Sequence, residues 1–273
     1  MAQSALQVKL ISLMQKAKSS KQRVIFHCAA AELQKISRSA MVHTAKLVSR
    51  RQEINARDAQ EQHIAARLER GEKVVGLKLG GALIPSEDGA KNYQTIFGYL
   101  TDVMQRHGEV KITDFVWPRV EPEVVFKLAK DIDQQITLEQ APSYIEAITV
   151  GAELLDYRSK NPDPFVEEAI ADNAGASGFA LGQWSDPAIL HQNLKATIHE
   201  NNELKREAPV SAIFGNPWKA VVALSTIMQE NSTVLPAGSI LFSSSATDGL
   251  EMRSGSTYRI EIQLLGSIEL KAI

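Results

Sequence analysis

The chain is poor in cysteine, in aromatic residues and in long apolar runs. Cys28 is its one thiol in 273 residues, so no disulfide framework forms within the chain and thiol-rich metal sites are excluded. A reducing cytoplasm suits that composition. No apolar run approaches the roughly 18 residues that span a bilayer. The N-terminus lacks a compact apolar stretch followed by small residues, so no secretory signal peptide is expected. There is no G-x-G-x-x-G and no P-loop, which removes the common dinucleotide and nucleoside-triphosphate sites. The formal net charge of −2 gives no general attraction to nucleic acid or to membranes.

Glycine and proline are also absent, but only locally: neither occurs in residues 1–70. Without those breakers, and with Leu6, Leu10, Leu13 and Met14 at helical spacing, this region reads as helical. The stretch DAQEQHIAARLERGEK reads as a helix ending at Gly71. The region is basic, with 13 Lys/Arg against 5 Asp/Glu, while the remainder holds 17 against 27. No aromatics are interleaved among those basic residues, as binders of single strands need. A contact with the acidic part of the chain or with a partner subunit is the simpler use of that charge.

After Gly71 the texture changes. KVVGLKLGG is strand-like, 81–100 is rich in loop residues including Pro85 and Gly89, and β-prone runs follow at 109–116 and 118–128. Residues 163–173 and 216–230 read as helices. The end alternates Tyr258, Ile260, Ile262, turns near Gly266 and continues as Ile268, Leu270, the pattern of a hairpin with one buried face. The division falls into a helical region 1–72 and a β-rich region 73–273, an α+β arrangement.

Candidate chemistry begins with PRVEPEVVFKL (118–128). In a strand, Glu121 and Glu123 point to one face. Two neighbouring carboxylates repel when buried, and a hard divalent cation removes the conflict. The competing reading is a solvated strand edge, since Pro122 cannot donate to a ladder and marks an edge or a bulge. Glu153, inside TVGAELLDYRSK, is a third carboxylate in an apolar run that needs a partner: a shared ion, or a salt bridge to Arg158 or Lys160. Lys78, in VVGLKLGG, is either a desolvated lysine of lowered pKa or a strand lysine that snorkels to water.

Eight runs in this order resemble the 2-keto-4-pentenoate hydratase and 4-oxalocrotonate decarboxylase family, within the fumarylacetoacetate-hydrolase-like superfamily. They are GEKVVGLKLG, IFGYLTDVM, PRVEPEVVF, AELLDYRS, ADNAGASGFALG, FGNPWKAVVAL, LPAGSI and LLGSIEL, spread over about residues 55–273. The resemblance implies a mixed β-roll catalytic core preceded by helices. It implies metal ligation by Glu121, Glu123 and Glu153, a site lysine at Lys78, a catalytic aspartate at Asp102 and a substrate-binding threonine at Thr247. It further implies an Mg²⁺ or Mn²⁺ cofactor, a small 2-oxo acid substrate from aromatic meta-cleavage catabolism, a cytoplasmic setting and a homo-oligomer that can associate with a related hydratase or decarboxylase. The reaction implied is lyase chemistry: a metal-chelated 2-oxo acid passes through an enolate, by decarboxylation of a 2-oxo-3-hexenedioate or by hydration of a 2-hydroxypentadienoate. IFGYLTDVM is closer to the decarboxylase form, and ADNAGASGFALG to the hydratase form. A non-catalytic metal-binding partner subunit is the third reading. The wall of the pocket departs from the family pattern at Gly81-Ala82-Leu83, at Gly175-Ala176 and at Ser244-Ser245.

Overall fold

The computed structural model describes residues 55–84, 91–161, 163–190 and 193–273. The helical reading of residues 1–54 lies outside them. Residues 55–69 form helix α1, which buries Ala56, Gln60 and Ile64 at a spacing of four. It stops at the predicted glycine. Gly71 takes φ +89, its N–H donates to Leu68 O, and the next N–H, of Glu72, donates to Arg67 O.

Beyond α1 the chain is mostly β. The strands are β1 Val74–Ile84, β2 Asn92–Thr101, β3 Glu109–Val110, β4 Arg119–Leu128, β5 Ile145–Leu155, β6 Ala176–Leu181, β7 Lys195–Glu200, β8 Glu203–Pro209, β9 Ile240–Ser245, β10 Leu250–Glu251, β11 Thr257–Ile262 and β12 Gly266–Ala272. Helices α2, Val166–Ala171, and α3, Lys219–Glu230, interrupt them. One sheet has the order β2-β1-β9-β4-β5-β6, with β10 also paired to β4, and the other has the order β3-β12-β11-β7-β8. Most pairs are antiparallel, while β1–β9 and β3–β12 are parallel, so both sheets are mixed.

Alternation along the strands decides what is core and what is site. Val120, Val124 and Phe126 of β4, Ile148, Val150, Ala152 and Leu154 of β5, and Leu77 and Leu79 of β1 join one cluster with Tyr258, Ile260, Ile262, Ile268 and Leu270 of the β11–β12 hairpin. The Val, Leu, Ile and Phe side chains among them each contribute about 1.5–3 kcal/mol on burial. The residues between them, Lys78, Arg119, Glu121, Glu123 and Glu153, take the opposite face of the first sheet.

The sequence reading differs from the structure in three places. The stretch after Gly81 is strand rather than loop: β1 continues to Ile84 and pairs with all of β2, with the glycines opposite Ile96 and Thr95. The run 109–116 holds only the two residues of β3 and a 3₁₀ turn, Ile112–Asp114. The division expected at 72/73 meets a compact unit that already begins at Asn55, because α1 packs onto the β core. Gln60 Nε2 donates to Phe97 O (2.9 Å) and to Asn173 Oδ1 (3.2 Å).

Candidate metal centre

Glu121 and Glu153 are direct cross-strand partners on β4 and β5, and Glu123 follows opposite Gly151. Two residues along one strand and one across the ladder therefore place three carboxylates together. One oxygen from each lies within 4.8 Å of the other two. Glu123 and Glu153 are almost fully buried, while Glu121 lines a cavity of about 550 Å³.

Pro122 is not at a sheet edge. β4 is flanked by β5 on one side and by β9 on the other, with a register shift between Glu123 and Val125. On that second side β9 ends at Ser245 and β10 takes over at Val120. Ala246 N–H donates to Pro122 O across the gap (3.3 Å). The missing proline N–H faces this change of partner, where no ladder bond is lost. The edge reading does not hold, and the irregularity next to Pro122 is on β9, where three steps from Phe242 to Ser245 oppose two from Val125 to Glu123.

The electrostatics of the cluster are unbalanced. Glu123 Oε2 accepts from Ser244 N–H at 2.8 Å, whereas Glu123 Oε1 and Glu153 Oε2 are buried with no hydrogen-bond donor among the described residues. Burial and the facing Glu153 carboxylate push Glu121 up to about 7 and Glu123 well above the carboxylate range. Buried orphan oxygens on an all-carboxylate, open-sided cluster fit a hard divalent cation such as Mg²⁺ or Mn²⁺, which takes oxygen donors and keeps positions for other ligands.

Lys78 Nζ stands 2.8 Å from Glu153 Oε1, a close ion pair that is off the direction of a well-formed hydrogen bond. Glu153 thus pairs with Lys78 rather than with Arg158 or Lys160. Arg158 lies past the end of β5 and pairs with Asp172. The lowered pKa expected for Lys78 is corrected as well. Burial is the largest influence and acts to lower it, but Glu153, Tyr157 and Glu121 together outweigh burial and hold it above the usual lysine value. Lys78 is a buried ammonium.

Asp102 does not join this site. It is exposed at the start of a 3₁₀ turn, where its Oδ1 accepts from Lys73 N–H (2.9 Å) and Val103 N–H (3.0 Å). Thr247 does line the cavity, in the turn after β9, and Ser245 Oγ donates to its carbonyl at 2.6 Å. Arg119 and Tyr157 line it too, although the sequence reading passed over them. Arg119 was legible as the residue two before Glu121, on the same strand face. Tyr157 carried no signal beyond its place after ELLD.

The motif residues around the centre are scaffolding. Asp156 accepts from Val116 N–H (2.9 Å) and Trp117 N–H (2.6 Å), which fixes the entry to β4. Asn173 clamps β2 through Tyr99 N–H and Tyr99 O (2.8 and 3.0 Å). Gly175, where the family pattern has a hydroxyl residue, has φ +69, and a Cβ there would meet Leu155 Cδ1 at 2.6 Å. Ser244 has φ +94, a conformation that favours glycine, and that geometry points its N–H at Glu123.

Fold and site together present a three-carboxylate cluster of a kind that could hold a divalent cation, on a mixed β scaffold. Comparison with known proteins agrees with that class. The family model described as fumarylacetoacetate (FAA) hydrolase C-terminal matches residues 48–271, and the chain belongs to that family. A 4-oxalocrotonate decarboxylase from Pseudomonas sp is 33% identical over 215 residues, covering 78% of this chain and 84% of the relative. A 2-hydroxyhexa-2,4-dienoate hydratase from Comamonas testosteroni is 27% identical over 208 residues, covering 74% and 79%. The solved 4-oxalocrotonate decarboxylase from Pseudomonas putida G7, complexed with magnesium and adipate, superposes with a TM-score of 0.72 at 23% identity, over 81% of this chain and 86% of that one.

Proposed function

We propose that this protein is a divalent-metal-dependent lyase acting on small 2-oxo acids, and specifically a 4-oxalocrotonate (2-oxo-3-hexenedioate) decarboxylase. The observation that carries the reading is the convergence of Glu121, Glu123 and Glu153 beside a buried Lys78 at the wall of a cavity sized for a small ligand. The 33% identity to a decarboxylase of nearly matching length supports the choice of reaction. Hydration of a 2-hydroxypentadienoate is the second reading, favoured by the hydratase at 27% identity.

Glu121, Glu123 and Glu153 would hold Mg²⁺ or Mn²⁺. Bound there, the ion would supply Lewis-acid polarisation of the 2-oxo acid, so that negative charge developing on its oxygen is stabilised. Lys78 supplies a fixed positive charge for the 2-oxo carboxylate and carries a proton at neutral pH. Tyr157 keeps its phenolic proton, because burial raises its pKa. Its place in the cavity wall suits a proton donor to the substrate chain. Thr247, in the cavity wall, offers a hydroxyl. Asp102, exposed and away from the cavity, is given no role in the chemistry.

The two-sheet architecture supports the β-roll core that the resemblance implies. An oligomeric, cytoplasmic enzyme is the setting of this reading. No described helix is long and apolar enough to cross a membrane.

The test is direct. With Mg²⁺ and 2-oxo-3-hexenedioate, CO₂ release is the expected result. Absence of CO₂, together with conversion of 2-hydroxypentadienoate to 4-hydroxy-2-oxovalerate, would replace decarboxylation by hydration. Absence of both, with metal bound, would leave the non-catalytic subunit.

A further inference from the structure

Of the cations that line the cavity, Arg119 makes no ion pair among the described residues, although its charge acts on Glu121. Arg119 lies two residues before Glu121 on β4, so its side chain emerges on the same face, about 7 Å along the strand. Both residues line the cavity. The other cations of that wall are engaged: Lys78 with Glu153 at 2.8 Å and Lys91 with Asp163 at 2.6 Å. Among the described residues Arg119 has no carboxylate within ion-pair distance. Glu251, its direct ladder partner on β10, reaches toward Arg253 instead (3.8 Å). The guanidinium rests over the Trp117 ring, 5.1 Å from its centroid, a contact that orients it without consuming its donors.

The floor between Arg119 and Glu121 is kept clear by Gly249. A Cβ there would come within 3.2 Å of Arg119 Cβ and 2.6 Å of Glu121 Oε1. The cavity therefore has a carboxylate-lined end for a cation and, a short distance along one strand, an oriented and unpaired fork of N–H donors. A guanidinium in that state is suited to two-point recognition of a carboxylate.

We infer that Arg119 forms an anion subsite for a second carboxylate, so that the enzyme selects short-chain dicarboxylic 2-oxo acids over monocarboxylic ones. The inference rests on the proposed lyase reading and narrows its substrate class. In this role Arg119 is a specificity-determining group: it holds the distal carboxylate, the group that leaves as CO₂ in the decarboxylation, and releases it as that carbon–carbon bond breaks and the electron pair passes into the enolate. It also sorts the two candidate reactions by substrate, because 2-oxo-3-hexenedioate has a distal carboxylate and 2-hydroxypentadienoate has none.

The experiment compares 2-oxohexanedioate with 2-oxohexanoate, two acids with the same chelating end, by calorimetry on the Mg²⁺-loaded full-length protein. The wild type is expected to bind the dicarboxylate more tightly, on the order of ten- to a hundredfold, the range for one charged hydrogen-bonded contact. Arg119→Met is expected to abolish that preference while leaving the affinity for 2-oxohexanoate unchanged, and Arg119→Lys to restore part of it. A wild type that binds both acids equally overturns the subsite and leaves the lyase reading standing. A wild type that binds neither, with Mg²⁺ bound, overturns the lyase reading and the subsite with it. Should Arg119→Met weaken both acids and Mg²⁺ in proportion, Arg119 only balances the charge of Glu121 and the subsite is overturned.

Discussion

Three carboxylates and one ammonium share a buried pocket, and that imbalance decides what single substitutions do. Glu123→Gln keeps an acceptor for Ser244 N–H and removes a buried carboxyl that must either hold a proton or repel Glu153. The metal-free variant is expected to melt a few degrees higher than wild type, about 2–4 °C for each kcal/mol relieved in a chain of this size. The same variant should lose the upward shift that Mg²⁺ gives the wild type, which paired thermal scans with and without metal would show. The pH dependence has a definite sign. In the folded, metal-free protein Glu121 keeps its proton up to about 7, whereas the unfolded chain releases it near 4.5. Between those values the native state binds more protons, so metal-free stability falls as pH rises, and Glu123, whose pKa is also raised, adds to the fall in the same direction. Urea melts in chelator at pH 5, 6, 7 and 8 check this. Metal affinity runs the other way and rises with pH, because the ion competes with that proton. The three glutamates and Lys78 were legible in the sequence, since strand alternation puts 121 and 123 on one face. The state of Lys78 was not, because the strand sequence does not say that β1 and β5 bring it against Glu153 (2.8 Å). Asp102 was misplaced for a related reason: its motif neighbours are scaffolding, and its carboxylate accepts from Lys73 and Val103 N–H at the start of a turn.

At the level of strands and helices, the close approach of β2 to the turn after α2 holds Lys78 in register. Gly98 stands opposite Lys78 in the β1–β2 ladder, and a Cβ there would meet Asn173 O at 2.2 Å. Gly98→Ala must push the two apart, at about 1–3 kcal/mol. A lower urea midpoint with an unchanged slope is the expected outcome, accompanied by weaker binding of 2-oxo acids as Lys78 shifts. An unchanged midpoint would show that the turn yields freely. The terminal hairpin and the two later helices could be read from periodicity alone, because the hairpin strands pair with each other and each helix carries its apolar spacing within its own turns. The extension of β1 through Gly80 and Gly81 could not. Its stability comes from pairing with β2 and from the parallel contact with β9, some 160 positions away. Local propensity carries no trace of such a pairing.

For the molecule as a whole, α1 belongs with the β core. Gln60 bonds Phe97 and Asn173, and Glu72 accepts from Arg67, Arg70 and Thr101. A chain begun at residue 73 would leave the Thr101 hydroxyl and the Phe97 and Asn173 oxygens without those partners, and would expose the apolar surface under Ala56 and Ile64. It is expected to melt well below a chain begun at residue 55, by at least several degrees in calorimetry. Equal melting points would return the boundary to 72/73. The place where β4 exchanges β10 for β9 has a further consequence. Residues 246–249 bridge the exchange and carry Thr247, and their backbone has one long bond to β4, from Ala246 to Pro122, and two to the Ser245 hydroxyl at the end of β9. Such a segment opens on its own, ahead of the strands on either side. Its amide protons should trade with deuterated solvent early in the metal-free protein and slow markedly once Glu121 and Glu123 are drawn onto an ion. The occupancy of the centre would then be recorded in the isotope content of four residues that do not themselves bind it.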